Sequence, residues 1–240
     1  MEIERFLLKI SGECFGLIGT EHDGGYDRTA SNFIASEVVS IGDRFERAIM
    51  VGGGNIIRGA VLKKKMGLTP AVADYMGMLG TIANALAFQD ILEREFGCKT
   101  EIFSAIAVKS IVRPFDRREA LHAMQDGKIV IFAAGTGNPF VSTDTAAVMR
   151  AAELNLSLVL KGTKVDGVFD RDPKGDSEAV FIPKLSHEEY SQRFLKVLDS
   201  TAVTMARDRE PQVRIVVFNI LKAGNLRRVL IEGDIGSEIS

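Results

Sequence analysis

The chain has 240 residues, 46% hydrophobic and 26% charged, with 30 Lys and Arg against 32 Asp and Glu and a formal net charge of −2. This is globular composition, which excludes disordered, collagen-like and low-complexity classes; near neutrality argues against a bulk nucleic-acid partner, which needs a basic field, but leaves room for phosphate ligands held by a few local cations. Two cysteines (Cys14, Cys98) and three histidines (His22, His122, His187) lack metal-ligand spacing, and neither a secretory leader nor an apolar run near ~20 residues is visible, so a reduced, cytoplasmic protein without membrane contact is expected.

In chain order, residues 5–10 (RFLLKI) read as a strand, 27–43 as a helix and 47–51 (RAIMV) as a second strand. Residues 69–96 form a long helical segment whose Val72, Met76, Leu79, Ala83 and Leu86 repeat at helical spacing; this stripe reads as core, with breadth enough for a subunit contact. Residues 100–106 are strand-like, 115–125 helical, 129–134 (IVIFAA) a buried strand, 143–154 helical and 157–160 a strand. Residues 166–182 are a turn-rich excursion, followed by short helices near 186–195 and 200–209, a strand at 213–218 and a closing helix at 222–231. Strands alternating with helices predict βαβ units, hence an α/β fold with a mainly parallel sheet and helices on both faces. Lacking linkers or repeats, residues 1–240 are expected to form one domain, with two lobes.

The informative segments are those directly after the strands. Residues 5–10 lead into Ser11-Gly12, 47–51 into Gly52-Gly53-Gly54-Asn55, 129–134 into Gly135-Thr136-Gly137-Asn138-Pro139, and 157–160 into Lys161-Gly162-Thr163-Lys164. Open α/β sheets bind ligands beyond the carboxyl ends of their strands. The glycine triplet, opening a helix that carries Arg58, reads either as a phosphate cradle or as a tight strand-to-helix turn; the guanidinium favours the cradle. Lys9 alternates onto the face of Leu7, and an unpaired ammonium inside a parallel sheet is costly, so a buried anion is expected beside it. Lys161 repeats that logic. Asp74, Gly77, Met78 and Thr81 share a helix face, where Asp74 serves either a ribose diol or, more economically, the helix start. The P-loop pattern G-x-x-x-x-G-K-[ST], the dinucleotide pattern G-x-G-x-x-G and the hydrolase elbow G-x-S-x-G are all absent.

The segments LLKISGE, VGGGNIIRG, ADYMGMLGT, AGTGNPFVSTDTAA and LKGTKVDGVFDRDP occur in that order. Together they resemble the bacterial-type uridylate (UMP) kinases of the amino-acid kinase fold, from about residue 5 to about residue 232. The resemblance implies a three-layer αβα sandwich, transfer of the γ-phosphoryl of ATP to UMP, and Mg²⁺ carried with ATP. By position it places Lys9, Ser11, Gly12, Gly54, Arg58, Thr163, Phe169 and Asp172 at ATP. It places Gly53, Asp74, Thr136, Gly137, Asn138, Pro139, Phe140, Val141, Ser142 and Thr143 at UMP, which reverses the residue-level preference for Asp74. Lys9, Arg58, Asp144 and Lys161 match the catalytic positions; direct metal ligands are left unassigned. It further implies a homohexamer with GTP as activator and UTP as inhibitor, although the stretch from Glu13 to Asp27, near the GTP site of many members, is poorly matched. Two rivals stand beside this reading: a kinase of the same fold acting on a carboxylate, carbamate or small phosphate, and a non-catalytic uridine-nucleotide sensor.

Overall fold

The structure, a computed structural model, describes residues 4–16, 25–173 and 175–240. Among these, nine strands form one sheet in the order β4-β3-β5-β2-β1-β6-β10-β11-β9. They are β1 (Glu4–Ile10), β2 (Phe45–Val51), β3 (Thr100–Ser104), β4 (Arg113–Pro114), β5 (Ile129–Ala133), β6 (Leu158–Thr163), β9 (Lys184–Leu185), β10 (Arg214–Asn219) and β11 (Ser237–Ile239). Every pairing is parallel except β10 with β11. Every residue of β2 and β5 is buried, as strands covered on both faces require.

One helical layer holds α1 (Arg28–Ser40), α3 (Pro70–Phe96) and α8 (Asn225–Arg227), whose Ile34, Val38, Ile82, Phe88 and Leu226 pack with Phe6, Leu8 and Ile10 of β1. The opposite layer holds α4 (Arg117–Gln125), α5 (Thr143–Glu153), α6 (His187–Gln192) and α7 (Ser200–Arg207), with Met124, Val148, Tyr190 and Val203 packed against Leu7, Met50 and Phe132. The expected three-layer αβα sandwich is therefore the observed architecture, and the alternation read for β1 holds. Local signals start the helices. Asp27 accepts from Ala30 N–H (2.9 Å), Ser142 from Thr145 N–H (3.2 Å), and Ser186 with Glu189 forms a capping box.

Several expectations change. The Val72–Leu86 stripe is not core: Val72 is 46% and Leu79 53% exposed, and the buried face of α3 is Ala73, Met78, Thr81, Ile82, Asn84, Ala85, Phe88 and Leu92. Gly80 on the same face lets the helix approach the glycine loop, where a Cβ would lie 3.4 Å from Gly53 O. With a stretch of mean hydropathy 1.2, α3 is also long and apolar enough by composition to span a bilayer, contrary to the expectation that nothing is; here one face lies against the sheet. The glycine triplet does not open a helix directly: α2 spans Gly59–Met66, and Arg58 is its N-cap. The excursion contains a hairpin of β7 (Val168–Phe169) and β8 (Phe181–Ile182), and the closing helix is α8 continued by a π-helical turn, Arg228–Glu232.

Candidate active site

Because β1, β2, β5 and β6 are parallel neighbours, the segments beyond their carboxyl ends emerge on one rim of the sheet. Glycine makes the convergence possible. A Cβ on Gly52 would lie 2.7 Å from Gly12 N, and one on Gly53 would lie 2.7 Å from Gly77 O, so the ends of β1 and β2 and the middle of α3 meet backbone to backbone.

Three cavities run along this rim. The first, about 310 Å³, lies between Gly53, the α3 face bearing Asp74, Gly77, Met78 and Thr81, and the loop after β5. The second, about 360 Å³, is lined by Lys9, Ser11, Gly12, Gly52–Gly54 and Thr143, with Glu13 and Lys164. The third, about 540 Å³, lies between the hairpin side (Phe169, Asp172) and residues 193–197. Gly53, Gly54 and Thr143 are common to the first two, and Thr163 and Val165 to the last two, so the cavities form one trench.

The expected residues distribute along the trench in groups. Gly53, Asp74, Thr136, Phe140, Val141, Ser142 and Thr143 line the first cavity. Gly137, Asn138 and Pro139 form the outer bend of the same loop, which is closed by Asn138 N–H donating to Thr136 Oγ1 (3.2 Å). Lys9, Ser11, Gly12 and Gly54 line the second cavity, and Thr163, Phe169 and Asp172 the third. Arg58 stands at the side, half-exposed. It donates to Glu13 Oε1 (2.8 Å) and to Gly54 O (3.2 Å).

Lys9 and Lys161 pair in register on adjacent strands, so both ammonium groups lie on one face. The anion expected beside Lys9 is supplied from within: Asp144, in the first turn of α5, lies 3.0 Å from Lys9 Nζ and 2.5 Å from Lys161 Nζ. Lys9 also donates to Ser11 Oγ (3.2 Å), and Lys161 to Val197 O (2.5 Å). Burial alone would raise the Asp144 carboxyl, but the two ammonium groups hold it down to about 2. Lys161 is also lowered, to about 8: burial disfavours its charged form and Lys9 repels its proton, and the attraction of Asp144 only partly opposes them. One carboxylate cannot offset two buried cations. The triad thus carries a surplus positive charge at neutral pH, directly below the middle cavity.

A sequence profile described as the amino acid kinase family matches residues 4–219. The chain belongs to the amino acid kinase family. A curated uridylate kinase from Rubrobacter xylanophilus is 44% identical over 98% of this chain and 91% of its own length. The crystal structure of UMP kinase from Ureaplasma parvum superposes with a TM-score of 0.90 at 33% identity, covering 100% of both chains. That of UMP kinase from Bacillus anthracis gives 0.92 at 33% identity, covering 99% of this chain and 96% of the other.

Sequence reasoning did not foresee the contacts that hold this amino acid kinase site in shape. Asn84 of α3 donates to Gly52 O and to Asn55 Oδ1 (both 2.6 Å), tying the glycine loop to the helix. Thr81 Oγ1 accepts from Ala134 N–H (2.6 Å), tying the loop after β5 to the same helix. Asp199 accepts from Ser142 Oγ (2.6 Å) and Thr145 Oγ1 (2.9 Å), fixing the start of α5. The available signal was polar residues at helical spacing within an otherwise apolar α3. Residues 17–24, within the stretch compared with a GTP site, lie outside the described residues.

Among the described residues no group of three or more His, Cys, Asp or Glu is placed to hold a metal, and both Asp144 oxygens face ammonium groups. The described residues thus offer no cage of their own for a divalent ion.

The triad makes a pH prediction. Turnover should fall as pH rises through about 8, because Lys161 then loses its proton and the surplus charge disappears. In Lys161→Met that descending limb should be absent and turnover low throughout. A limb unchanged in the variant would assign it to another group. Acid acts on stability: Asp144 titrates lower in the fold than the ordinary 3.8, so its contribution is present above that value and is lost as pH falls toward about 2.

Proposed function

We propose that this amino acid kinase transfers the γ-phosphoryl group of MgATP to UMP, giving UDP and ADP. The observation that carries the reading is the surplus positive charge placed where two cavities of small-ligand size meet. UMP occupies the first cavity and the ATP base the third, and their phosphates converge on the middle one. The R. xylanophilus, U. parvum and B. anthracis relatives carry the same activity in their names.

Asp74 accepts hydrogen bonds from the ribose diol. Its Oδ2 is already engaged by Phe140 N–H (2.8 Å), so the carboxylate joins α3 to the loop that surrounds the base. Gly53 and Gly54 bring bare backbone to the phosphates, and the N-terminus of α5 points its positive end at them. A phosphate oxygen of UMP, already largely deprotonated at neutral pH, attacks the γ-phosphorus in line. A P–O bond forms to UMP as the bond to the β–γ bridging oxygen breaks, and that oxygen leaves on ADP. Lys9, held by Asp144 and Ser11, stabilises the charge spread over the transferring group, and Arg58 adds to the field from the side. No covalent enzyme intermediate or general base is needed. Mg²⁺ enters on the phosphates of ATP, which, with water, supply the oxygen ligands that the ion prefers. The reading includes a cytoplasmic protein of one domain and a homo-oligomer, for which the bare α3 face around Val72, Tyr75 and Leu79 is the contact surface.

The test is an assay of ADP release across UMP, CMP, AMP and GMP. UMP should be strongly preferred, and equal rates with CMP would remove the assignment. In the same assay Asp74→Ala should raise the KM for UMP by roughly a hundred-fold or more, the loss of two hydrogen bonds to a charged acceptor. The KM for ATP should stay within two-fold. An unchanged UMP requirement would take Asp74 out of the site.

A further inference from the structure

Among the described residues four non-glycine positions have positive φ: Ala134, Phe140, Asn155 and Phe194. Asn155 is a residue type that tolerates this region, and Ala134 and Phe140 belong to the loop around the first cavity. Phe194 stands apart. It has φ +53° just beyond the C-cap of α6, a position where glycine is the least strained choice. The residue is 86% exposed, so packing within the chain does not offset that strain. An exposed aromatic on a strained backbone thus carries two costs that the bare protein does not recover. Phe194 lines the 540 Å³ cavity, as do the apolar Phe169, Leu195 and Val197, beside charged groups that include Arg193 and Lys196.

We infer that Phe194 is a binding residue of the donor seat, stacking on the nucleobase of ATP beside Phe169. This rests on the reading of that cavity as the donor seat. A nucleobase has the flat, apolar face that offsets an exposed ring, and stacking of a base on an aromatic side chain is sensitive to truncation. With this left-handed backbone the side chain lines the cavity, where a glycine would leave the wall bare.

The experiment is steady-state kinetics on Phe194→Gly, Phe194→Trp and Phe169→Ala, with thermal unfolding and sedimentation of each. Phe194→Gly should raise the KM for ATP roughly ten-fold. The KM for UMP and kcat should stay within two-fold. Its thermal midpoint should be no lower than the parent's, because glycine relieves the strain, and Phe194→Trp should keep the parental KM for ATP. A lower midpoint in Phe194→Gly would make the ring a packing element and overturn the inference. So would an unchanged KM for ATP with a reduced assembled mass, since the ring would then lie between copies of the chain. If Phe169→Ala raises the KM for ATP and Phe194→Gly does not, the inference fails and the donor seat stands. If neither raises it, the donor seat itself is misassigned.

Discussion

Lys9→Met is expected to lower kcat by roughly 10²–10³-fold, the usual cost of removing one preorganised group aimed at developing charge. The KM for UMP should change by no more than a few-fold. Lys9 lines the middle cavity, whereas the seat proposed for UMP is lined by α3 and the loop after β5. Methionine keeps most of the side-chain volume and removes only the charge, so the fold is retained. Asp144 still has Lys161 at 2.5 Å, and the triad becomes neutral instead of positive. Steady-state kinetics with a parallel thermal melt separate the two contributions. A KM for UMP that climbs while kcat holds would show that Lys9 binds the acceptor and does not serve the transfer.

Asp144→Ala should be the most destructive single change, destabilising the protein by about 3–5 kcal/mol, because two buried cations lose their shared partner. Lys9 and Lys161 are each only 7% exposed, which leaves water little access to replace the carboxylate. The informative control is the triple variant Lys9→Met, Asp144→Leu, Lys161→Met. It should recover most of the stability, since an apolar cluster of similar volume can replace a buried ion triad. It should recover no turnover. Urea unfolding of the parent, the single and the triple variants makes the comparison. A single variant as stable as the parent would mean that the triad does not bear on folding.

The αβα architecture was legible because IVIFA-type runs fit only strands covered on both faces, and because a helical pattern separates most of the long strands. The rim was legible for a related reason: glycines, hydroxyls and lysines directly after buried strands have few other uses. Lys9 was half read. The need for an anion followed from burial, and the resemblance named Asp144 as a catalytic position, but that Asp144 is the anion beside Lys9 shows only where α5 lies against β1 and β6. The α3 stripe misled because large side chains dominate a periodicity count. The buried face instead mixes Met78, Ile82, Phe88 and Leu92 with Ala73, Gly80, Thr81 and Ala85, and these small members give little periodic signal. β11 was missed for its brevity: three residues pair because β10 presents an open edge, not because they prefer extended structure. Asn84 and Asn55 were passed over because a buried amide pair is recognised only by what it touches.

Lys9 and Lys161 oppose one another in the pairing of β1 with β6, two strands that lie most of the chain apart. A slip of one residue in that pairing would turn one ammonium to the wrong side of the sheet. If the two lysines serve transfer as proposed, competence depends on strand alignment, and a half-assembled chain has no weak version of the enzyme. Recovery of turnover after dilution from denaturant then serves as a clock for the closing of that long-range pairing, a late and slow kind of event for a sheet built from distant partners.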